Sequence, residues 1–487
     1  MNVLFVASEV TPFAKSGGLG DVASALPKAL AAHGHDVRVV MPMYPLVRAP
    51  GRDFKVVFQD AVLILGGTRV VFSVFEASLP GTTIPIYFID CPRLYDRPSI
   101  YTTDPDEHLR FAVLSWASLV VAQRIGFRPD IVHANDWQTA LVPLLLRTMF
   151  AWDRLFAAAR SVLTIHNIGY QGTFNARILP ETGLGDAAHH FHQDELHAGS
   201  INYMLTGILY ANALTTVSPT YAREVQTAEH GAGLEAFLRQ RSDVLFGILN
   251  GIDETEWNPE ADPRIPHSYS ASDFSGKEKN KQALLDTMKL SYAKETPVIG
   301  VVSRLAWQKG FDLGFNVLPR LLTRNTFKLV VLGAGEAKYE NFFTTLERRF
   351  PKQVAFRNTF SEPIAHLIEA GSDMFLMPSR YEPSGLNQMY SLRYGTPPIV
   401  HRTGGLADTV SAFDVQRGTG NGFVFEHFDE GGLRFGITQA LRTWGSGTGV
   451  DLDHWRTLQR NGMRGHFGWD ERVTAYEQVY KFIAPGR

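Results

Sequence analysis

Lys15 opens the run KSGGLGD (15–21), which lies between the apolar segment VLFVAS and the helix-like VASALPKALAAHG. Strand, glycine loop and helix start together make a backbone cradle for anions, because amides at a helix N-terminus lack intrahelical partners. Gly17 and Gly18 would let the backbone approach a ligand closely, and Lys15 adds a mobile positive charge. The pattern is neither GxxxxGK[ST] nor GxGxxG, and by itself it also describes an ordinary tight turn. Two further cations, Arg304 and Lys309, follow the apolar run PVIGVV in SRLAWQKG. Either could be solvated surface charge. Together with Lys15 they suit a pyrophosphate, since a guanidinium binds bidentately and lysines act as point charges. After DMFLMPS comes RYEPSGLNQMY, in which Pro383 and Ser384 suit the first turn of a helix. Free amides near Ser384, Gly385 and Leu386 could hold a phosphate oxygen. Glu382 could accept hydrogen bonds from hydroxyls, or simply cap the helix against its dipole.

Two more junctions carry polar side chains. His166 and Asn167 follow SVLTI, and Asp136, Trp137 and Gln138 follow DIVHAN. A strand-end histidine can be purely structural, and Asp136 could cap a helix beside a core tryptophan. The cluster His189, His190, His192 and His197 has no thiol and no HExxH pattern, so it reads as a polar loop.

All these residues need a scaffold that presents strand ends. Short β-branched runs alternate with helix-like segments: VLFVAS, DVRVVMP, TRVVFSVFEA, IPIYFID, DIVHAND, SVLTIHN and ALTTVS in the first half. PVIGVVSRL, FKLVVLGAG, VAFRNTF, DMFLMPS and PPIVHR occupy the second. Continuous apolar runs separated by helices predict parallel sheets covered on both faces, whose ligands lie beyond the carboxyl ends of the strands. A break at 250–275, rich in Pro, Asp and Ser, separates two such series. The fold class is therefore α/β, with two doubly wound Rossmann-like domains, 1–250 and 251–470, and a last helical segment at 471–487. The stretch 179–197 reads as a loop-like interruption of the first domain.

Composition narrows the classes. With 487 residues, 20% charged and a net charge of -2, the chain has no footprint of nucleic-acid binding. One cysteine, Cys91, excludes an internal disulfide and a cysteine-built zinc site. The N-terminal run lacks a basic leader, and the most apolar stretch, 111–122, is too short for a bilayer. The expectation is a cytoplasmic protein without membrane partners.

KSGGLGDV, HANDWQ, TIHNIGYQG, TVSPTYAREV, GILNGID with WNP, SRLAWQKG and MPSRYEPSGLNQMYSLRYGTPPIVHRTGGLADTV occur in this order. They resemble the bacterial glycogen synthase and plant starch synthase family over nearly the whole chain. The EPSGLNQMYSLRYGTPPIV block is shared in outline by many retaining glycosyltransferases of the GT-B fold, and KSGGLGDV with WNP narrows it to the synthases. The resemblance implies two domains facing a central cleft, and closure around the donor is expected, with the hinge near 250–259 and where the last helix returns. It implies transfer of glucose from ADP-glucose to the non-reducing end of an α-1,4-glucan (glycogen or a maltooligosaccharide), with retention and with neither metal nor cofactor. By match to the family motifs, Lys15, Arg304 and Lys309 would hold the donor diphosphate and Glu382 the donor glucose. His166 would flank the reacting sugar, Asn250 would be a further sugar contact, Phe360 would stack on the base, and Asp136 would face the acceptor. The first domain would be the acceptor side, the second the nucleotide-sugar side, and the last helix would return to the first.

Two residues depart from the family pattern: Ser384 stands where Cys is usual, and Leu205 replaces a common lysine. UDP-glucose remains an alternative donor. A phosphorylase would need a pyridoxal-binding lysine motif and a dehydrogenase the GxGxxG fingerprint; neither is found. A non-catalytic glucan-binding protein is a further alternative, and the intact Lys15, Arg304, Lys309 and Glu382 argue against it.

Overall fold

A computed structural model describes residues 1–445, 452–484 and 486. The chain divides into two compact units, Met1–Gly251 with Trp469–Arg487, and Ile252–Gly468.

The first unit is built on a sheet ordered Leu245–Gly247, Ala213–Thr216, Arg160–Ile165, Ile131–Asn135, Asn2–Val6, Asp36–Pro42, Pro85–Asp90, Thr68–Ser78, Lys55–Leu65. The strands from Leu245–Gly247 to Pro85–Asp90 pair in parallel. Val3, Leu4, Phe5 and Val6 are fully buried, because helices cover both faces of this central strand. Helix Gly18–Ala32 turns Leu19, Val22, Ala23, Leu26 and Leu30 inward at helical spacing. The last two strands correct the all-parallel expectation: Thr68–Ser78 and Lys55–Leu65 run antiparallel as a hairpin at the edge. Lys55–Leu65 was not expected as a strand. Gln59 and Asp60 interrupt its apolar run, and Val56, Val62 and Ile64 face solvent.

The segment 179–197 is not plain loop, since it contains short helical turns including Gln193–His197. The C-terminal helix Asp470–Ile483 packs on this unit. His133 Nδ1 lies 2.7 Å from Tyr480 Oη, His133 Nε2 lies 2.6 Å from Thr164 Oγ1, and His35 Nε2 lies 2.9 Å from Glu477.

The second unit carries a six-stranded parallel sheet ordered Val354–Arg357, Lys328–Leu332, Val298–Val302, Met374–Met377, Pro398–His401, Phe423–Phe425. Numbered along this unit, the order is 3-2-1-4-5-6, that of the doubly wound dinucleotide fold. Alternation along the strands fills two cores. Ile299, Val301, Leu329 and Val331 join one, and Val298, Val330, Leu332 and Phe375 join the other. Each such fully buried side chain contributes about 1.5–3 kcal/mol. In both units the strand order reverses beside the first strand, and ligands of open sheets bind outside the carboxyl ends at that crevice. Among the described residues no helix is long and apolar enough to cross a membrane.

Candidate active site

In the second unit the reversal lies between Val298–Val302 and Met374–Met377, so the segments after these two strands must meet. They carry Arg304 and Lys309 on one side and Glu382 on the other. Lys309 Nζ stands 2.6 Å from Glu382 Oε2, and Ser379 Oγ donates to the same oxygen at 2.9 Å. Glu382 is only 6% exposed, so its charge is held by this lysine and hydroxyl rather than by water. Arg304 is exposed, and its guanidinium makes no ion pair or hydrogen bond among the described residues. Phe360 follows Val354–Arg357 and is 68% exposed.

The expected helix start is corrected. The helix begins at Asn387, and Pro383 and Ser384 precede it in a bent loop. Gly385 has φ +66°, a left-handed conformation that ends the approach to the helix. The N–H groups of Ser384, Gly385 and Leu386 still find no protein acceptor among the described residues, so the open amides survive the change. Ser384 is buried, and the nearest hydrogen-bond acceptor of its hydroxyl is Gly385 O at 3.5 Å. The Gly404-Gly405 pair fixes this loop from the next strand end. Gly405 N donates to Glu382 O at 3.0 Å and to Pro383 O at 3.1 Å. A Cβ at Gly405 would fall 1.9 Å from Ser384 O, so only glycine fits there.

In the first unit the reversal lies between Asn2–Val6 and Ile131–Asn135. Asp136 ends the second of these, with φ 55° and ψ -176°. A non-glycine residue there costs about 1–3 kcal/mol, a strain that clusters at functional sites. Its Oδ1 accepts from the N–H of His166 at 2.7 Å and of Asn167 at 3.3 Å, which locks two strand ends together. Burial, with Glu9 nearby, pushes its pKa up to about 7. Burial lowers His166 to about 3, so its imidazole is neutral. Its Nε2 lies 3.0 Å from Asn135 Oδ1, a pairing in which the imidazole donates and Nδ1 remains an acceptor. Asn250 is 4% exposed, and its Oδ1 is a buried acceptor with no hydrogen-bond partner among the described residues. Lys15 Nζ pairs with Asp21 Oδ1 at 2.7 Å and stays half exposed. The glycine cradle is already partly filled: Glu9 Oε2 accepts from Ser16 N and Gly17 N, while Gly18 N–H opens the helix.

The comparisons with known proteins are consistent along the chain. The starch synthase catalytic domain family matches residues 2–240, and glycosyl transferases group 1 matches residues 286–446. The glycogen synthase of Anaeromyxobacter dehalogenans strain 2CP-1 is 44% identical, covering 100% of both chains. That of Desulforudis audaxviator is 43% identical over 99% of this chain and 96% of its own. The chain belongs to the glycogen and starch synthase family. It is a glucosyltransferase of glycogen or starch synthesis, acting between a nucleotide sugar and a glucan. The catalytic domain of starch synthase IV from Arabidopsis thaliana, solved with ADP and acarbose, superposes with a TM-score of 0.90. The two are 35% identical, over 99% of each chain. The GT-B class expected from sequence, with two Rossmann-like halves, is thus borne out. Sucrose-phosphate synthase from Thermosynechococcus elongatus, at 17% identity and a TM-score of 0.63, shares the fold.

Within this synthase, Leu205 lies in the core at 1% exposure, so its side chain offers no ligand contact. Sequence reasoning missed Glu9, Ser379 and the Gly404-Gly405 clamp. The glycine pair after PIVH was a visible signal; the partners of Glu9 were not. It also missed that Glu256, Glu362 and His366 bring ligand atoms within 4.8 Å of one another, the one such group among the described residues. Arg264 Nη2 stands 3.1 Å from Glu256 and 3.0 Å from Glu362, and His366 Nδ1 stands 2.7 Å from Asp262. The guanidinium therefore already supplies the positive charge between the two glutamates.

Proposed function

We propose that the donor is ADP-glucose, that the acceptor is the non-reducing end of an α-1,4-glucan, and that the anomeric configuration is retained. The observation that carries this reading is the set at the second unit's reversal point. There Lys309 pairs with the buried Glu382 beside three open amides, and Arg304 follows the neighbouring strand, a set that suits a sugar diphosphate. Arg304, Lys309 and the amides of Ser384, Gly385 and Leu386 take the diphosphate. Glu382 takes the glucose hydroxyls and Phe360 stacks on the base. In the first unit Lys15 and the Gly18 amide serve the donor, with Gly17 shaping the loop. His166 and Asn250 attend the transferred sugar and Asp136 the acceptor.

The chemistry fits these groups. A nucleoside diphosphate is a good leaving group, so the main demand is to stabilise charge growing on its phosphate. Preorganised cations and amides do this, at several kcal/mol per site. No step requires a metal or an organic cofactor, and the reaction belongs in the cytosol. Incorporation of labelled glucose into glycogen from ADP-glucose and UDP-glucose, measured side by side, tests the donor. Strong transfer from ADP-glucose is expected; transfer from UDP-glucose alone would overturn the donor assignment.

A further inference from the structure

Among the buried carboxylates outside these roles, Glu9 is the one tied to the glycine loop. Glu9 lies just beyond the central strand of the first unit and is 3% exposed. Its Oε2 accepts from Ser16 N at 2.5 Å and Gly17 N at 3.1 Å. Its Oε1 accepts from Tyr101 Oη at 2.6 Å, and Tyr101 Oη lies 2.8 Å from Ser8 Oγ. Two backbone amides of the loop that carries Lys15 and the phenol of Tyr101 hold it, partly offsetting the rise in pKa that burial causes. Lys15 cannot fix its own place, since its side chain is 51% exposed. Its neighbours along the loop place it. Ser16 and Gly17 are tied to Glu9, and Asp21 pairs with Lys15 while accepting from Thr11 Oγ1 at 3.1 Å. Thr11 N in turn donates to Gly20 O at 3.0 Å. A Cβ on Gly20 would lie 3.4 Å from Glu9 Oε2 and from Lys15 Cβ, so the loop is wrapped closely around the carboxylate.

We propose that Glu9 is a positioning residue, an internal anion that fills the amide cradle of the glycine loop and thereby sets where Lys15 stands. The proposal rests on the role given to Lys15 in the proposed function. The Ser16 and Gly17 amides are then spoken for, and donor contact from this loop falls to Lys15 and Gly18. A carboxylate is suited to the task because charge-assisted bonds to amides are about twice as strong as neutral ones. A glutamine keeps one acceptor oxygen and must turn an NH2 group either toward the two amides or toward Tyr101.

A double-mutant cycle tests this: Glu9→Gln, Lys15→Ala and the pair, with kcat, KM for ADP-glucose and for glucan, and Tm measured for each. Because small displacements of a catalytic group cost up to about 100-fold, Glu9→Gln alone should lower kcat about 10- to 100-fold. Its Tm and its KM for glucan should stay near those of the parent. In the Lys15→Ala background the same change should cost less than about threefold, because what it positioned is gone. Tyr101→Phe, which spares both amide bonds, should give a smaller loss with the same dependence on Lys15, and it serves if Glu9→Gln does not fold. Equal losses in both backgrounds, or an unchanged kcat in Glu9→Gln, overturn the positioning role alone. A normal kcat in Lys15→Ala overturns the role of Lys15 and the proposal with it.

Discussion

Replacing Lys309 by alanine removes the cation that stands 2.6 Å from Glu382 and strips that carboxylate of its counter-charge. Two losses result, and they are separable. The first is catalytic: one preorganised charge aimed at a developing oxyanion is worth about 2.7–4 kcal/mol, or about 10²–10³ in kcat. The second is structural. Glu382 is 6% exposed and, among the described residues, keeps only Ser379 Oγ as a side-chain partner, so part of its solvation is lost. Breaking a fully buried pair costs about 3–5 kcal/mol. The Lys309 side chain is 18% exposed, which lets water reach the gap, so on the order of 2 kcal/mol is expected. Lys309→Met with Glu382→Gln in the same chain removes both charges and should regain most of that stability while remaining inactive. The assay is initial-rate transfer from ADP-glucose to glycogen, with a melting curve on the same samples. A Lys309→Ala enzyme with near-normal kcat would refute the reasoning, whatever its Tm.

Asp136→Asn should make the protein more stable at pH 8 than the parent, with the difference fading below about pH 4. The folded pKa of Asp136, about 7, lies above its ordinary value, so between about pH 4 and 7 the unfolded chain releases this proton first. Stability therefore falls through that window and stays low above it, by on the order of 2 kcal/mol for a partly exposed group. A pH-independent difference in Tm would contradict this. Gly405→Ala should push the Glu382–Ser384 backbone aside, since its Cβ would meet Ser384 O at 1.9 Å. Its kcat should fall at least about tenfold on the scale for a misplaced catalytic group, and steady-state kinetics will show whether it does. Ser384→Cys should change kcat by less than about threefold, because the hydroxyl makes only a marginal 3.5 Å contact. A larger drop would give Ser384 a direct part.

How much of this was legible in the sequence depends on the range of the interaction. The central strands were legible because four successive buried residues such as Val3–Val6 leave an unbroken apolar run. Arg304, Lys309 and Glu382 were legible as strand-end residues. That Lys309 and Glu382 touch depended on the 3-2-1-4-5-6 order, which brings together segments more than 70 residues apart. The hairpin strand Lys55–Leu65 was hidden because an edge strand buries one face only and its bulge places Asp60 at positive φ. The helix start was misplaced because Pro383 and Ser384 fit a first turn locally. The tertiary contacts of Gly405 with Glu382 and Pro383 hold this stretch as a loop instead. Glu9 could not be read as an anchor at all, since its partners are backbone amides and a tyrosine 92 residues away.

The central claim is glucosyl transfer with retention at the site of Lys309 and Glu382. The most direct test is to incubate the enzyme with ADP-glucose and a maltooligosaccharide and observe the new linkage by proton NMR, with Glu382→Ala as control. An α-1,4-linked glucose added at the non-reducing end is expected, and none in the control. A β-linked product, or equal transfer by the Glu382→Ala enzyme, would contradict it.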